Sequence, residues 1–94
     1  MLKNKDFQLL LKNGRRCSGG FVVSYTLPSD QNRLGVVVSK KISRLAHERN
    51  KVKRRLREAG RRLLKDGFDV ILIARPGIEK KTWLEVLEAV KKII

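Results

Sequence analysis

Residues 44–65 constrain the fold of this chain more than any other stretch, because they are an amphipathic helix and a one-sign charge run at once. At about 100° per residue, with Val52 set at zero, Leu45, Leu56, Ala59 and Leu63 fall within roughly 40° of it. Asn50, Lys53, Arg54, Arg57 and Arg61 occupy an arc about 100° wide, centred about 150° from Val52. Glu48 and Glu58 fall outside the arc, so no acid interrupts it. Like charges at helical spacing repel by a few tenths of a kcal/mol per pair. A solvated face kept for solubility is the competing reading, but mixed charge serves solubility better than a one-sign stripe. The segment reads as a rigid rod that docks by one edge on a core and offers another edge to a polyanion.

The formal charge of the whole chain, +14, points the same way. Nucleic acid is the first candidate partner and an anionic membrane the second. No apolar run approaches the roughly 20 residues of a membrane span. The start, Met1 to Asp6, is not followed by the apolar core of a secretion signal. A soluble, cytoplasmic protein is therefore expected. Its 94 residues suit one domain, 1–94, with a single modest core. Cys17 stands alone, which excludes an internal disulfide, and one Cys with one His is a poor start on a zinc site. Cys17 reads as a small filler near the first strand. His47 beside Glu48 is the one tempting acid–base pair, but adjacent helix residues point about 100° apart. No carboxylate cluster suggests a two-metal site. No catalytic residue and no metal ligand are expected in this polypeptide.

Asp6 to Lys12 carries Phe7, Leu10 and Leu11 at helical spacing, and predicts a short helix ending near Gly14 in a left-handed cap. Arg15 and Arg16 read as a basic connector, punctuated by Gly19-Gly20. Phe21 to Leu27 alternates, with Phe21, Val23, Tyr25 and Leu27 on one face of a strand. The cluster Pro28-Ser29-Asp30-Gln31-Asn32 predicts a turn and, with it, an antiparallel hairpin. Leu34 to Ser39, with Val36-Val37-Val38 at its centre, reads as a central strand buried on both sides. Lys40 and Lys41 lead from it into the basic helix, which Ser43 would cap and Gly67 would end. Phe68 to Ala74 is a further strand, continuously apolar apart from Asp69, and Arg75-Pro76-Gly77 breaks it. Thr82-Trp83-Leu84-Glu85 is a capping-box pattern. The helix after it aligns Trp83, Leu87, Val90 and Ile94, with Val86 and Ile93, so Trp83 reads as core rather than a base-stacking platform. The residues give an α+β sandwich of three helices and three clear strands. Helices covering one face of the sheet would leave part of the other for a ligand.

Two runs, Arg33-Leu34-Gly35-Val36-Val37-Val38-Ser39-Lys40-Lys41 and Arg49-Asn50-Lys51-Val52-Lys53-Arg54-Arg55-Leu56-Arg57-Glu58, resemble the bacterial ribonuclease P protein subunit. The family's motif is an Arg-Asn pair, two residues, Lys-Arg, two residues, then Arg, on a long central helix. Here that is Arg49, Asn50, Lys53, Arg54 and Arg57. Asp6-Phe7 with Gly14 resembles the family's opening helix, and Gly67, Asp69 and Ile73-Ala74-Arg75 its last strand. The resemblance implies a compact α-β-β-β-α-β-α order with a short fourth strand near Arg16-Cys17-Ser18 and a left-handed crossover, against the general handedness rule.

It also implies a function. Family members bind a large catalytic RNA, and the complex removes the 5′ leader from precursor tRNA. The RNA carries the chemistry with Mg2+, and the protein alone binds no cofactor. By this resemblance Arg49, Asn50, Lys53, Arg54 and Arg57 contact the RNA, with Lys40, Lys41 and Arg61 beside them. Phe7 and Tyr25 match aromatic positions of a groove for the single-stranded leader, and Leu11 stands where an aromatic is common. Neither a membrane nor DNA is an expected partner. The competing function is an RNA-binding structural protein of ribosomal type.

The residue types suit the task. Arg54 and Arg57 can each offer two parallel donors to one phosphate, whereas Lys53 acts as a compact charge. Asn50 is neutral and can both donate and accept, to a base edge, a 2′-hydroxyl or a metal-bound water, or it is a plain surface amide. Tyr25 is a stacking candidate or a half-buried strand residue with its hydroxyl in water.

Overall fold

The computed structural model describes residues 2–94. Helix α1 spans Asn4–Asn13, followed by strands β1 (Arg15–Ser18), β2 (Val22–Pro28) and β3 (Leu34–Val37). Helix α2 (Ala46–Leu63), strand β4 (Phe68–Ala74), a single 3-10 turn (Ile78–Lys80) and helix α3 (Trp83–Ile93) complete the chain. The α-β-β-β-α-β-α order is as expected, and the short fourth strand is β1. Where the residues alone read Arg15-Arg16 as connector, the backbone pairs Arg16 with Tyr25 and Cys17 with Ser24.

The sheet order is β1-β2-β4-β3, so β2 and β3 do not form the hairpin that the turn at 28–32 suggested. Strand β4 lies between them, antiparallel to β2 and parallel to β3, with Ile71 opposite both Tyr25 and Gly35. The reason is burial. Val70, Ile71 and Leu72 are all at most 1% exposed, so β4 needs cover on both faces and both edges. Strand β3, expected to be central, is a four-residue edge strand, and Val37 is exposed. Short length suits an edge, where a long unpaired ladder would invite aggregation. Residues 28–32 cross the end of β4 and lock onto its leading turn. The Ser29 N–H donates to the Gly67 carbonyl at 2.8 Å, and the Asn32 side-chain oxygen accepts from the Gly67 N–H.

Both faces of the sheet carry helices, which corrects the expectation of cover on one face alone. Helices α2 and α3 close over one face around Val22, Leu56, Val70, Leu72 and Val90. Helix α1 and the residues leading into it cover part of the other, where Leu2 and Leu10 pack on Ile71. Two glycines let the helices come down onto the edge strand. A Cβ on Gly35 would lie 2.7 Å from Cζ of Phe7 and 2.8 Å from Cδ1 of Leu2. A Cβ on Gly60 would lie 2.6 Å from Cδ2 of Leu34.

Helix ends differ from the sequence reading. Leu45, not Ser43, holds the cap position of α2. The Ser43 hydroxyl instead accepts from the Leu45 N–H and donates to the Glu48 carboxylate, both at 3.1 Å. Leu45 therefore precedes the helix and is 52% exposed, although the helical wheel put it on the apolar stripe. The helix stops at Leu63, and Gly67 belongs to the turn before β4. Gly14 ends α1 in extended backbone at φ −73°, not in a left-handed cap. At α3 the reading holds, with the Thr82 hydroxyl accepting from the Glu85 N–H and the Glu85 carboxylate from the Thr82 N–H. Trp83 is half-buried and packs against the main core, on the side its apolar stripe predicts. Cys17 is half-buried against the main core. Among the described residues, no helix is long and apolar enough to cross a membrane.

Candidate nucleic-acid interface

The rod is built as its periodicity requires. Leu56 and Ala59 are fully buried and Val52 is 5% exposed, so this edge of α2 is clamped to the core. On the far side Asn50, Arg54, Arg57 and Arg61 are exposed, and Lys53 is half-buried. Among the described residues, none of Lys53, Arg54, Arg57 and Arg61 pairs with an acid of this chain. Four cations at or near the surface and left without internal counter-charge are available to an external polyanion.

Arg49 differs from the others. It is half-buried, and its Nη1 donates to the carbonyls of Ser43 and Arg44, each at 3.0 Å. It braces the loop entering α2, with Ile42 buried beneath that loop. Lys40 and Lys41 are exposed in the turn just before it. His47 is exposed on the first turn of α2, while Glu48 is engaged with Ser43 and not with the imidazole.

The groove residues separate. Phe7 reaches down to Gly35 at the β3 edge, and Tyr25 lies on β2 with Ile71 between them. Two strand spacings put Tyr25 about 10 Å from Gly35, the strand position under Phe7. Phe7 and Tyr25 are both half-buried and pack around the Leu2, Leu10 and Ile71 cluster. Leu11 stands out from α1, 48% exposed. Beyond α1 on the same face, Ile73 is half-buried and Val37 exposed, so an apolar floor stays partly open there.

The structure adds a junction that the sequence reading did not contain. A cleft of about 780 Å³ runs over the β3 edge, lined by Phe7, Arg33, Gly35, Arg57 and Arg61 among others. It joins the aromatic side of the sheet to the basic arc of α2. One strand of nucleic acid passing through it would meet phosphate donors at one end and a ring at the other.

Arg33 holds this junction together. Its Nη2 lies 2.7 Å from Asp69, and its Nη1 lies 3.1 Å from Asp6. The Arg33 N–H also donates to Asp69 at 2.9 Å. Asp6 in turn accepts from the Lys3 N–H at the start of α1. One guanidinium thus ties α1, β3 and β4 together. The signal was present: Asp69 is the lone acid in an otherwise apolar strand, and a buried carboxylate requires a cation.

Burial pushes the Asp69 carboxyl up, but the hydrogen bonds from the Arg33 side chain and N–H and from Ser29, with the Arg33 charge, outweigh it. The net result is a carboxyl below its ordinary value of 3.8. A depressed acid stabilises the fold above the unfolded-state value, and that stability is lost as pH falls through the folded value. The thermal midpoint is therefore expected to hold steady from neutral pH to about pH 5 and to fall below about pH 4. Glu85, lowered by its bonds to Thr82, adds to the same acid limb. Thermal melts of Asp69→Asn isolate the Asp69 share: this variant should start lower at neutral pH and lose less on acidification.

A family model described as Ribonuclease P matches residues 1–94. The ribonuclease P protein component of Clostridioides difficile (strain 630) is 33% identical over 98 residues, covering 98% of this chain and 85% of the relative. The structure of the Staphylococcus aureus RNase P protein superposes with a TM-score of 0.86 at 34% identity, covering 99% of this chain and 89% of that one. The Thermotoga maritima RNase P protein, solved with 1-(4-fluorophenyl)-2-thiourea, gives a TM-score of 0.85 at 30% identity, with each chain covered in full.

Proposed function

The chain belongs to the ribonuclease P protein family, and from that premise we propose that it acts as the subunit that grips the catalytic RNA and holds the 5′ leader of precursor tRNA. The basic arc of Asn50, Lys53, Arg54, Arg57 and Arg61, extended by Arg49 and by Lys40 and Lys41, binds the RNA backbone. The face bearing Phe7, Leu11 and Tyr25 takes the single-stranded leader. The RNA supplies the hydrolytic chemistry with Mg2+, and the complex works in the cytoplasm on precursor tRNA.

The observation that carries this reading is the cleft where Arg57 and Arg61 meet Phe7 over the β3 edge. Phosphate contacts give affinity without sequence preference, whereas rings read unpaired bases by stacking. That Arg57, Arg61 and Phe7 line one cleft supports a protein joining a folded RNA to an unpaired leader. Screening of RNA–RNA repulsion by the cations should matter most when Mg2+ is scarce.

The test adds the purified chain to a bacterial ribonuclease P RNA and precursor tRNA at low Mg2+. Faster cleavage and tighter precursor binding are expected. Unchanged rate and unchanged affinity would overturn the reading and leave an RNA-binding structural protein. A second measurement addresses the leader. Tyr25→Ala should weaken binding of precursor tRNA roughly 5- to 100-fold, the scale of one stacked base, and leave mature tRNA binding unaltered. Equal losses for precursor and mature tRNA would remove Tyr25 from the leader site.

A further inference from the structure

Trp83 packs against the core as its stripe predicts, and part of its ring stays open to α2. It is half-buried at the start of α3 and lines a shallow hollow with Lys51, Arg54, Arg55, Glu58 and Arg62 of α2. Lys51, Arg55 and Arg62 fall at about 260–300° on the helical wheel, the flank between the basic arc and the apolar stripe. Four cations face one acid there.

We propose that this hollow is a second RNA site, distinct from the leader groove and sharing only Arg54 with the arc, in which an unpaired nucleobase stacks on Trp83. Three observations support it. First, one face of the indole already holds a flat, delocalised cation, since the Arg62 guanidinium lies 5.5 Å from the ring centroid. A ring face that accepts a guanidinium accepts a base, because both are planar groups stacking on the same π surface. Second, Arg62 is free to give way. Its pairing with Glu58, 3.2 Å long, joins side chains that are 59% and 47% exposed. Exposed pairs of this kind contribute little, so Arg62 can swing from the ring to the phosphate of the incoming nucleotide. Third, the platform is rigid. Arg55 Nη1 donates to the Lys81 carbonyl at 2.9 Å and fixes the α3 entry against α2, and the Thr82–Glu85 capping box sets the first turn. Lys51 and Arg54 are exposed at the rim to meet flanking phosphates. The occupant is single-stranded RNA, because a duplex has no free base face to give. This site does not depend on which RNA the arc holds.

Trp83 is the chain's only tryptophan, so its emission reports the site directly. The full-length chain is titrated with a ten-nucleotide oligoadenylate and, in parallel, with an abasic RNA of the same length, with bound fraction read by anisotropy. Oligoadenylate is expected to quench the emission by half or more at saturation, and the abasic strand to leave it nearly unchanged. Lys51→Ala with Arg62→Ala should move the midpoint roughly 25-fold higher at 0.1 M salt, and Trp83→Leu should weaken binding by a similar factor. Quenching should persist in Tyr25→Ala. Bound oligoadenylate with unchanged emission would overturn the proposal, as would quenching that disappears in Tyr25→Ala. The emission readout needs no substitution, so a misfolded Trp83→Leu would not spare the proposal.

Discussion

Replacing Arg54 and Arg57 together with alanine is expected to weaken binding to a bacterial ribonuclease P RNA by roughly 25- to 60-fold at 0.1 M salt. The estimate follows from counterion release. Each neutralised phosphate contributes a slope of about 0.7 to 0.9 in log K against log salt. Two lost contacts remove about 1.4 to 1.8 decades at 0.1 M. The slope itself should flatten by nearly two units. The fold should survive, because both side chains are exposed and neither is ion-paired within the described residues. Filter binding across a salt series reads both quantities. Lost affinity with an unaltered slope would mean that the arginines act through shape rather than charge. No loss at all would make the basic face solvated decoration.

The second large effect is on stability. Leu56 is fully buried on the inner edge of the same helix, one position from Arg57. Leu56→Ala removes a side chain from a site walled by the sheet and α3, and should cost about 3 kcal/mol, transfer loss plus residual cavity. For a domain of this size that corresponds to a fall of roughly 15 °C in the thermal midpoint. Leu56→Met, which nearly conserves volume, should cost less than about 1.5 kcal/mol. RNA affinity of the folded Leu56→Ala protein should stay within a few-fold of the parent at low temperature, because the arc is intact when the helix is docked. Circular-dichroism melts and low-temperature binding separate the two. A Leu56→Ala protein that melts like the parent would show that α2 is not anchored through this stripe. Together these variants divide one helix into an edge that holds it and a face that works.

Much of this was readable in order along the chain. The inner and outer faces of α2 followed from a period of 3.6, and β4 from a continuous apolar run. The capping box at Thr82 and Glu85 marked the start of α3 because its chemistry is local: two side chains meet two backbone N–H groups within four residues. Helix ends without such chemistry were misplaced. Ser43 bonds to the backbone two residues on, a local turn that competes with capping. Strand neighbours were misassigned for a different reason. A turn-forming cluster between two apolar runs is compatible with a hairpin, and it is equally compatible with a loop that leaves room for a third strand.

The site divides along the same line. The cations of the arc were legible because they sit on one helix, where spacing fixes direction. Arg33 was not, because its partners Asp6 and Asp69 are 27 and 36 residues away in sequence. The cleft joining Phe7 to Arg57 and Arg61 was not legible either, since it needs α1, β3 and α2 together. Trp83 packs against the core as its stripe predicts, and only the packing of α3 against α2 shows that its ring also meets Arg62 of the basic flank.

The sequence by itself determined which residues form the rod, which edge of it is oily and which is charged, because a helix converts spacing into direction without outside help. Tertiary structure alone decided that β4 is central, that β3 is an edge, and that the guanidinium of the residue before β3 ties α1 to β4. Those outcomes depend on which surfaces compete for burial and on where an enclosed carboxylate finds its cation, and neither is encoded in the distance between neighbours along the chain.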